Sequence, residues 1–267
     1  TPRGDYRGTL EAIASLVREI DEQLGLKQIP VGVGTPGTIS PATGLVKNSN
    51  SSALNGKPLD KDLAALLGRP VRLANDANCF ALSEAVDGAA AGAPVVFGVI
   101  LGTGVGGGVV VDGKILVGAN AIAGEWGHNP LPWPKADELP GPPCSCGRRG
   151  CIESFLCGPA LARDHGGKNA PTAQDVARLA GEGDPQANAA MERYEERLAR
   201  ALAHVVNILD PNVVVLGGGL SNVERLYADV PRLWGRFVFS DRVDTKLVRA
   251  KHGDSSGVRG AARLFGA

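Results

Sequence analysis

The sequence has no surplus of either charge: 28 Lys and Arg balance 28 Asp and Glu over 267 residues. A neutral chain without basic clusters lacks the electrostatic footprint of a nucleic-acid surface or of a protein drawn to anionic membranes. It also lacks an uninterrupted apolar run. Residues 88–111 carry no formal charge, but eight glycines and Pro94 break them, so strand, glycine turn, strand is a better reading than a membrane span. No basic-then-apolar start suggests a signal peptide, which makes the cytoplasm the expected compartment. Nor do the five cysteines suit disulfides, being odd in number with three inside eight residues. What remains, with 43% hydrophobic and 21% charged residues, is a globular composition large enough for one big domain or two medium ones.

What is abundant is glycine, 37 residues falling in short bursts. Bursts of this kind suit turns where backbone approaches a ligand. Between them the chain alternates strand and helix patterns. Leu10, Ile13, Ala14, Val17, Ile20 and Leu24 recur at helical spacing up to Gly25. Ile29 to Val33 and Val71 to Ala74 read as strands, 38–57 as loop, and Pro58 to Leu67 as a helix stopped by Gly68. Val95 to Leu101, Val109 to Val111 and Ile115 to Val117 predict strands around the glycine burst, with a hairpin turn at Asp112-Gly113. Thr172 with Asp175, and Ser221 with Glu224, resemble capping boxes. A long helix is expected from Pro185 to Leu209, a strand from Val213 to Leu216, another near Val243 to Val248, and a final helix from about Ser256. The pattern predicts an α/β protein of mixed sheets flanked by helices, in two lobes.

The strongest local signal is Cys144-x-Cys146-x4-Cys151, with His128 upstream. Three thiolates and one imidazole fill a closed tetrahedral zinc shell of the structural kind; the competing reading is three unrelated cysteines. Cys79 and Cys157 read as small core residues. Asn75-Asp76 ends an apolar strand, where open α/β sheets place ligand chemistry, although Asp76 could equally cap the helix that follows. Glu125 and His128, three apart, share one face of a helical turn, and Glu153 follows the last cysteine by two. Together they suit a ligand with several hydroxyls; singly they could be solvated charges. Gly102-Thr103-Gly104 precedes a strand rather than a helix, so it is neither a dinucleotide fingerprint nor a Walker loop. It can still offer N–H groups and a hydroxyl to phosphates, as can Gly217-Gly218-Gly219. Either run could be only a tight turn.

Five segments together carry a resemblance: NDANCFALSEA, LGTGVGGGVVVDGK, GEWGHNPLP, CSCGRRGCIESF and VVVLGGGLSN. In this order, over nearly the whole chain, they resemble the ROK family of sugar kinases. GTPGTISPATGLVKNSNS with GEWGHNPLPW looks most like its fructokinase (mannofructokinase) branch, with N-acetylglucosamine kinase as nearest sister.

The resemblance implies two ribonuclease-H-like lobes of the actin–hexokinase superfamily. The small lobe would be residues 1–93, completed by the C-terminal helix at about 253–267; the large lobe would be 94–252. It implies ATP-dependent phosphorylation of a hexose, with fructose favoured. Alternatives are N-acetylglucosamine, glucose or mannose as acceptor, a sugar-sensing regulator, and an inactive zinc-stabilised fragment. By that likeness Asp76 is the base that takes the proton from the sugar hydroxyl. Asn75, Glu125, His128 and Glu153 contact the sugar, and the Gly34, Thr35, Pro36, Gly37 turn closes on it. Gly102, Thr103 and Gly104 bind phosphate, and Gly217, Gly218 and Gly219 face adenosine. His128, Cys144, Cys146 and Cys151 hold structural Zn²⁺, and ATP arrives with Mg²⁺. A homodimer is the expected assembly, with no nucleic acid or membrane as partner. Two departures stand out. The family's opening DxGGTK strand–turn–strand does not occur here, so the natural protein is expected to start earlier. Its usual Ser-Gly after the zinc loop is Cys157-Gly158.

Overall fold

A computed structural model describes residues 2–26, 28–167 and 171–266. The first helix, α1 (Tyr6–Leu24), starts where Asp5 accepts the Gly8 N–H at 2.9 Å and stops at Gly25, whose φ of 64° suits glycine. α2 (Leu59–Leu67) ends the same way at Gly68. Both cover a small parallel pair, β1 (Val31–Thr35) and β4 (Val71–Asn75), in register from Val31 opposite Val71 to Thr35 opposite Asn75. The segment read as loop contains one short antiparallel pair, β2 (Thr38–Ile39) and β3 (Val46–Lys47). Buried Val46, Leu54, Leu59 and Leu63 make the core here.

From Asn75 the chain turns directly into α3 (Asp76–Val86), which leads to a five-stranded sheet. Its order is β7 (Lys114–Ile115), β6 (Val105–Val111), β5 (Val95–Leu101), β8 (Val213–Gly217), β9 (Lys246–Arg249). β5, β8 and β9 run parallel, and β6 and β7 form a meander turned at Asp112-Gly113, both with positive φ. The three central strands β6, β5 and β8 are largely buried, which explains why they carry no charge, whereas the edge strands keep Lys114, Lys246 and Arg249. Phe97, Val99 and Leu101 join one core with Tyr194, Leu198 and Leu202 of α7 (Pro185–Leu209). Val96, Val110 and Val215 join another with Phe80 and Ala81 of α3.

The remaining helices, α4 (Ile152–Leu156), α5 (Gly158–Gly166), α6 (Ala173–Gly181) and α8 (Arg225–Trp234), pack around α7 or its flank. α9 (Ser256–Ala262) returns to lie on α3 and β1. That seam is backbone against backbone: a Cβ on Gly260 would meet the Cys79 carbonyl oxygen at 1.7 Å, and one on Gly32 the Ala261 oxygen at 1.8 Å.

Two further sequence expectations change. The glycine burst is not all turn, because β6 begins at Val105 and includes Gly106, Gly107 and Gly108. These three admit neighbours rather than a ligand: a Cβ would meet Ala77 Cβ at 3.3 Å, Gly124 O at 2.7 Å and Ala77 O at 2.6 Å respectively. The Ser221–Glu224 capping box does not form. Gly219–Asn222 make a 3-10 turn, the Ser221 hydroxyl donates to the Gly218 carbonyl at 2.7 Å, and α8 starts only at Arg225. The Thr172–Asp175 box does form.

Candidate active site

Parallel pairing sets the site, since it brings the C-terminal ends of neighbouring strands to one edge. β1 and β4 deliver Thr35 and Asn75 side by side. The Asn75 carboxamide accepts the Ala77 N–H at 2.9 Å and donates to the Gly37 carbonyl at 3.4 Å, so it caps α3 and ties down the 34–37 turn. Gly37 must be glycine: φ is 79°, and a Cβ would fall 2.4 Å from the Lys47 carbonyl oxygen.

Asp76, the first residue of α3, is open to solvent yet ringed by protein. Desolvation raises its carboxyl pKa above the ordinary range, although the Ala77 N–H at 2.8 Å pulls the other way. Glu125 is raised too. Loss of water is the main cause, then His128 opposes it, Asp76 and Glu153 add to it, and Lys47 opposes it. Asp76, His128, Glu153 and Lys47 therefore lie within electrostatic reach of Glu125.

Glu153 joins two segments. One oxygen accepts the Val105 N–H at 3.0 Å, beside the 102–104 turn; the other faces Ser145 Oγ at 3.3 Å in the cysteine loop. In that loop, His128 Nδ1 lies 3.5 Å from Cys144 Sγ and Cys146 Sγ 3.6 Å from Cys151 Sγ. The four donor atoms all lie within 4.8 Å of one another. A tetrahedral zinc with metal–sulfur bonds near 2.3 Å sets its ligands about 3.8 Å apart, so the donor set fits that ion in chemistry and spacing. The loop is bolted to α7 by buried charges: Glu138 accepts from Arg197 at 2.8 Å and Arg200 at 2.7 Å, which outweigh its burial and hold its carboxyl at about 2.

On the large sheet, Ile100 pairs with Gly217 in parallel register, so the 102–104 and 217–219 turns sit at adjacent strand ends. Gly102 accepts the Gly158 N–H at 2.7 Å, and Thr103 is exposed. Gly217 would strike the Phe80 ring if it carried a Cβ, at 2.5 Å, and Gly218, with φ of 80°, the Leu101 carbonyl, also at 2.5 Å. Packing thus already demands glycine at both. A large concavity of about 860 Å³ lies instead at the opposite ends of these strands around Ala93, Asn212 and Lys246, and contains none of the predicted residues.

Sequence reasoning missed Lys47. Its Nζ donates to the Asn120 carbonyl at 2.6 Å across 73 positions, and no spacing or motif announces so distant a contact.

The comparisons point one way. The model of the ROK family matches residues 1–267. An N-acetyl-D-glucosamine kinase of Vibrio atlanticus is 43% identical over 99% of this chain and 89% of its own length. The ROK hexokinase structure from Thermus thermophilus is 34% identical, covers 98% of this chain and 87% of its own, and superposes with a TM-score of 0.84. A ROK glucokinase from Streptomyces griseus, solved with glucose and AMPPNP, is 26% identical over 99% of this chain and 89% of its own, with a TM-score of 0.78.

Proposed function

The chain belongs to the ROK family, and from that premise we propose that it is an ATP-dependent sugar kinase whose acceptor is N-acetyl-D-glucosamine. The observation that carries the reading is Asp76: a carboxylate with a raised pKa at a strand end, facing a group of hydroxyl-seeking side chains. Phosphoryl transfer asks the protein mainly for alignment and one oriented base, and a carboxylate nearer neutrality takes a hydroxyl proton more effectively. The choice of sugar rests on relatives. Fructose, favoured by the sequence resemblance, gives way because the curated relatives at 42–43% identity are named N-acetyl-D-glucosamine kinases.

In this reading the actin–hexokinase-like fold places the sugar between a small lobe up to residue 93, completed by the C-terminal helix, and a large lobe of residues 94–252. Asn75, Glu125, His128 and Glu153 hold its hydroxyls under the Gly34–Gly37 turn. The Gly102–Gly104 and Gly217–Gly219 turns take the phosphate and adenosine sides of ATP, with Mg²⁺ neutralising phosphate charge. Structural zinc would be held by Cys144, Cys146, Cys151 and His128 Nδ1, which leaves Nε2 of the same ring for a sugar hydroxyl. Exposed Leu116, Ile122 and Ile208 line one apolar groove that a second copy would cover, in keeping with a homodimer. No helix among the described residues is long and apolar enough to cross a membrane.

The test is a coupled assay with ATP, Mg²⁺ and a panel of N-acetylglucosamine, glucose, mannose and fructose. The highest kcat/KM is expected with N-acetylglucosamine; a higher value with fructose would reverse the choice, and no turnover on any sugar would end the kinase reading. Elemental analysis of the purified protein is expected to return one zinc per chain, and a metal-free active protein would remove that assignment.

A further inference from the structure

Lys47 ends β3, in the hairpin that follows the 34–37 turn. Its backbone is a fixed mount. The turn rests directly on it, since a Cβ on Gly37 would lie 2.4 Å from the Lys47 carbonyl and 2.8 Å from Ser49 N. The turn is itself tied to Asn75, the neighbour of Asp76. From this mount the side chain crosses to the far wall, where Nζ donates to the Asn120 carbonyl at 2.6 Å. Asn120 lies in the segment leading to Glu125, and the Lys47 charge is one of those acting on that carboxylate. Asn75, Gly37, Lys47 and Asn120 thus form a continuous connection from the base's neighbour to the approach of Glu125.

We propose that Lys47 is a sugar-positioning residue, whose ammonium straps the 34–47 segment to the Asn120 wall beside Glu125. The proposal rests on the kinase reading. An ammonium has three donors and no acceptor. One N–H goes to Asn120, and the others are left for the hydroxyl oxygens of a ligand or for the Glu125 carboxylate. Lys47 is only half-buried and Asn120 exposed, so the strap forms without a buried charge and can release with the product. Its contribution belongs to holding the sugar and not to phosphoryl transfer. The effect is therefore expected in sugar affinity rather than in kcat.

The experiment compares wild type with Lys47→Met, which keeps the stem and removes the charge, and Lys47→Arg, which keeps charge and donors. Lys47→Met is expected to raise the sugar KM about tenfold, the usual scale of one charge-assisted hydrogen bond. Its kcat should stay within about twofold and its KM for ATP should not move. Lys47→Arg should recover most of the loss. Calorimetric titration of the sugar without ATP is expected to show the same tenfold weakening. An unchanged sugar KM in Lys47→Met, a loss confined to kcat, or equal damage in both variants would overturn the proposal. The kinase reading fails separately. If wild type binds sugar without turning it over, that reading falls while the calorimetric comparison still decides Lys47.

Discussion

The two ends of α3 treat a carboxylate in opposite ways. At the first residue, Asp76 keeps only backbone donors, the Ala77 N–H and its own, remains open to solvent, and has its pKa raised by desolvation. In the last turn, Glu84 is completely buried. Burial would raise it, but it accepts from the backbone of Ala89, Lys251 and His252 and from the Ser256 hydroxyl, at 2.7–3.1 Å, and the balance lowers its pKa. Just past the helix, desolvation of Asp87 is outweighed by Arg259, Arg263 and His252, and its pKa falls to about 2. One helix thus begins with an acid left short of partners at the candidate site and ends beside acids saturated with partners at a joint. The difference teaches that burial does not decide a carboxyl's role; the number of donors waiting for it does.

The comparison can be broken most directly at Asp76. Asp76→Asn is expected to lower kcat about a thousandfold, the range of a general base, while leaving thermal stability at pH 7 unchanged or higher. A fall in melting temperature would mean that Asp76 also holds the fold together, and the contrast would collapse.

Glu84→Gln should do the reverse. The carboxamide nitrogen cannot accept, so buried donors lose their partner, at about 3 kcal/mol in urea unfolding. Sugar KM in the folded fraction should hardly move. A variant as stable as wild type would show that the joint does not depend on this acid.

The smallest effect, and the finest test, is pH. Asp76 has a raised folded-state pKa, so its ionised form detracts from stability, and lowering the pH through that pKa removes the penalty. Glu84 and Asp87 have lowered values. Their stabilisation is present above the ordinary carboxylate range near 4 and is lost as pH falls below it, for Asp87 toward about 2. Acid unfolding is therefore expected to steepen below about pH 4, and to steepen less in Glu84→Gln. The acid limb of kcat/KM should lie above the ordinary aspartate value near 3.9. A limb at or below that value would contradict the raised pKa of Asp76.

Much of the candidate site was legible because its chemistry is compressed into short segments. Cys144, Cys146 and Cys151 stand close enough in sequence to share an ion whatever the fold, and Asn75-Asp76 sits where any parallel strand would place a ligand. The glycines were legible only in part. Gly102 and Gly104 do make a turn, but Gly106 to Gly108 are small so that α3 and the Trp126 segment can press against β6. A glycine admitting a neighbour and a glycine admitting a ligand look the same in a sequence. Lys47 and the Glu84 joint were not legible at all, because their partners lie 73 and up to 172 positions away and no local pattern records the pairing.

That last separation bears on how the protein is made. β1, β4 and α3 leave the ribosome well before the helix that lies on them, which sets Gly260 against Cys79 and Ala261 against Gly32. Until then the Glu84 carboxylate has none of its Lys251, His252 or Ser256 donors. A segment translated earlier is therefore completed only by one translated up to 172 residues later. A nascent chain that ends before Lys246 has a large sheet without its β9 edge and a small sheet without its α9 cover.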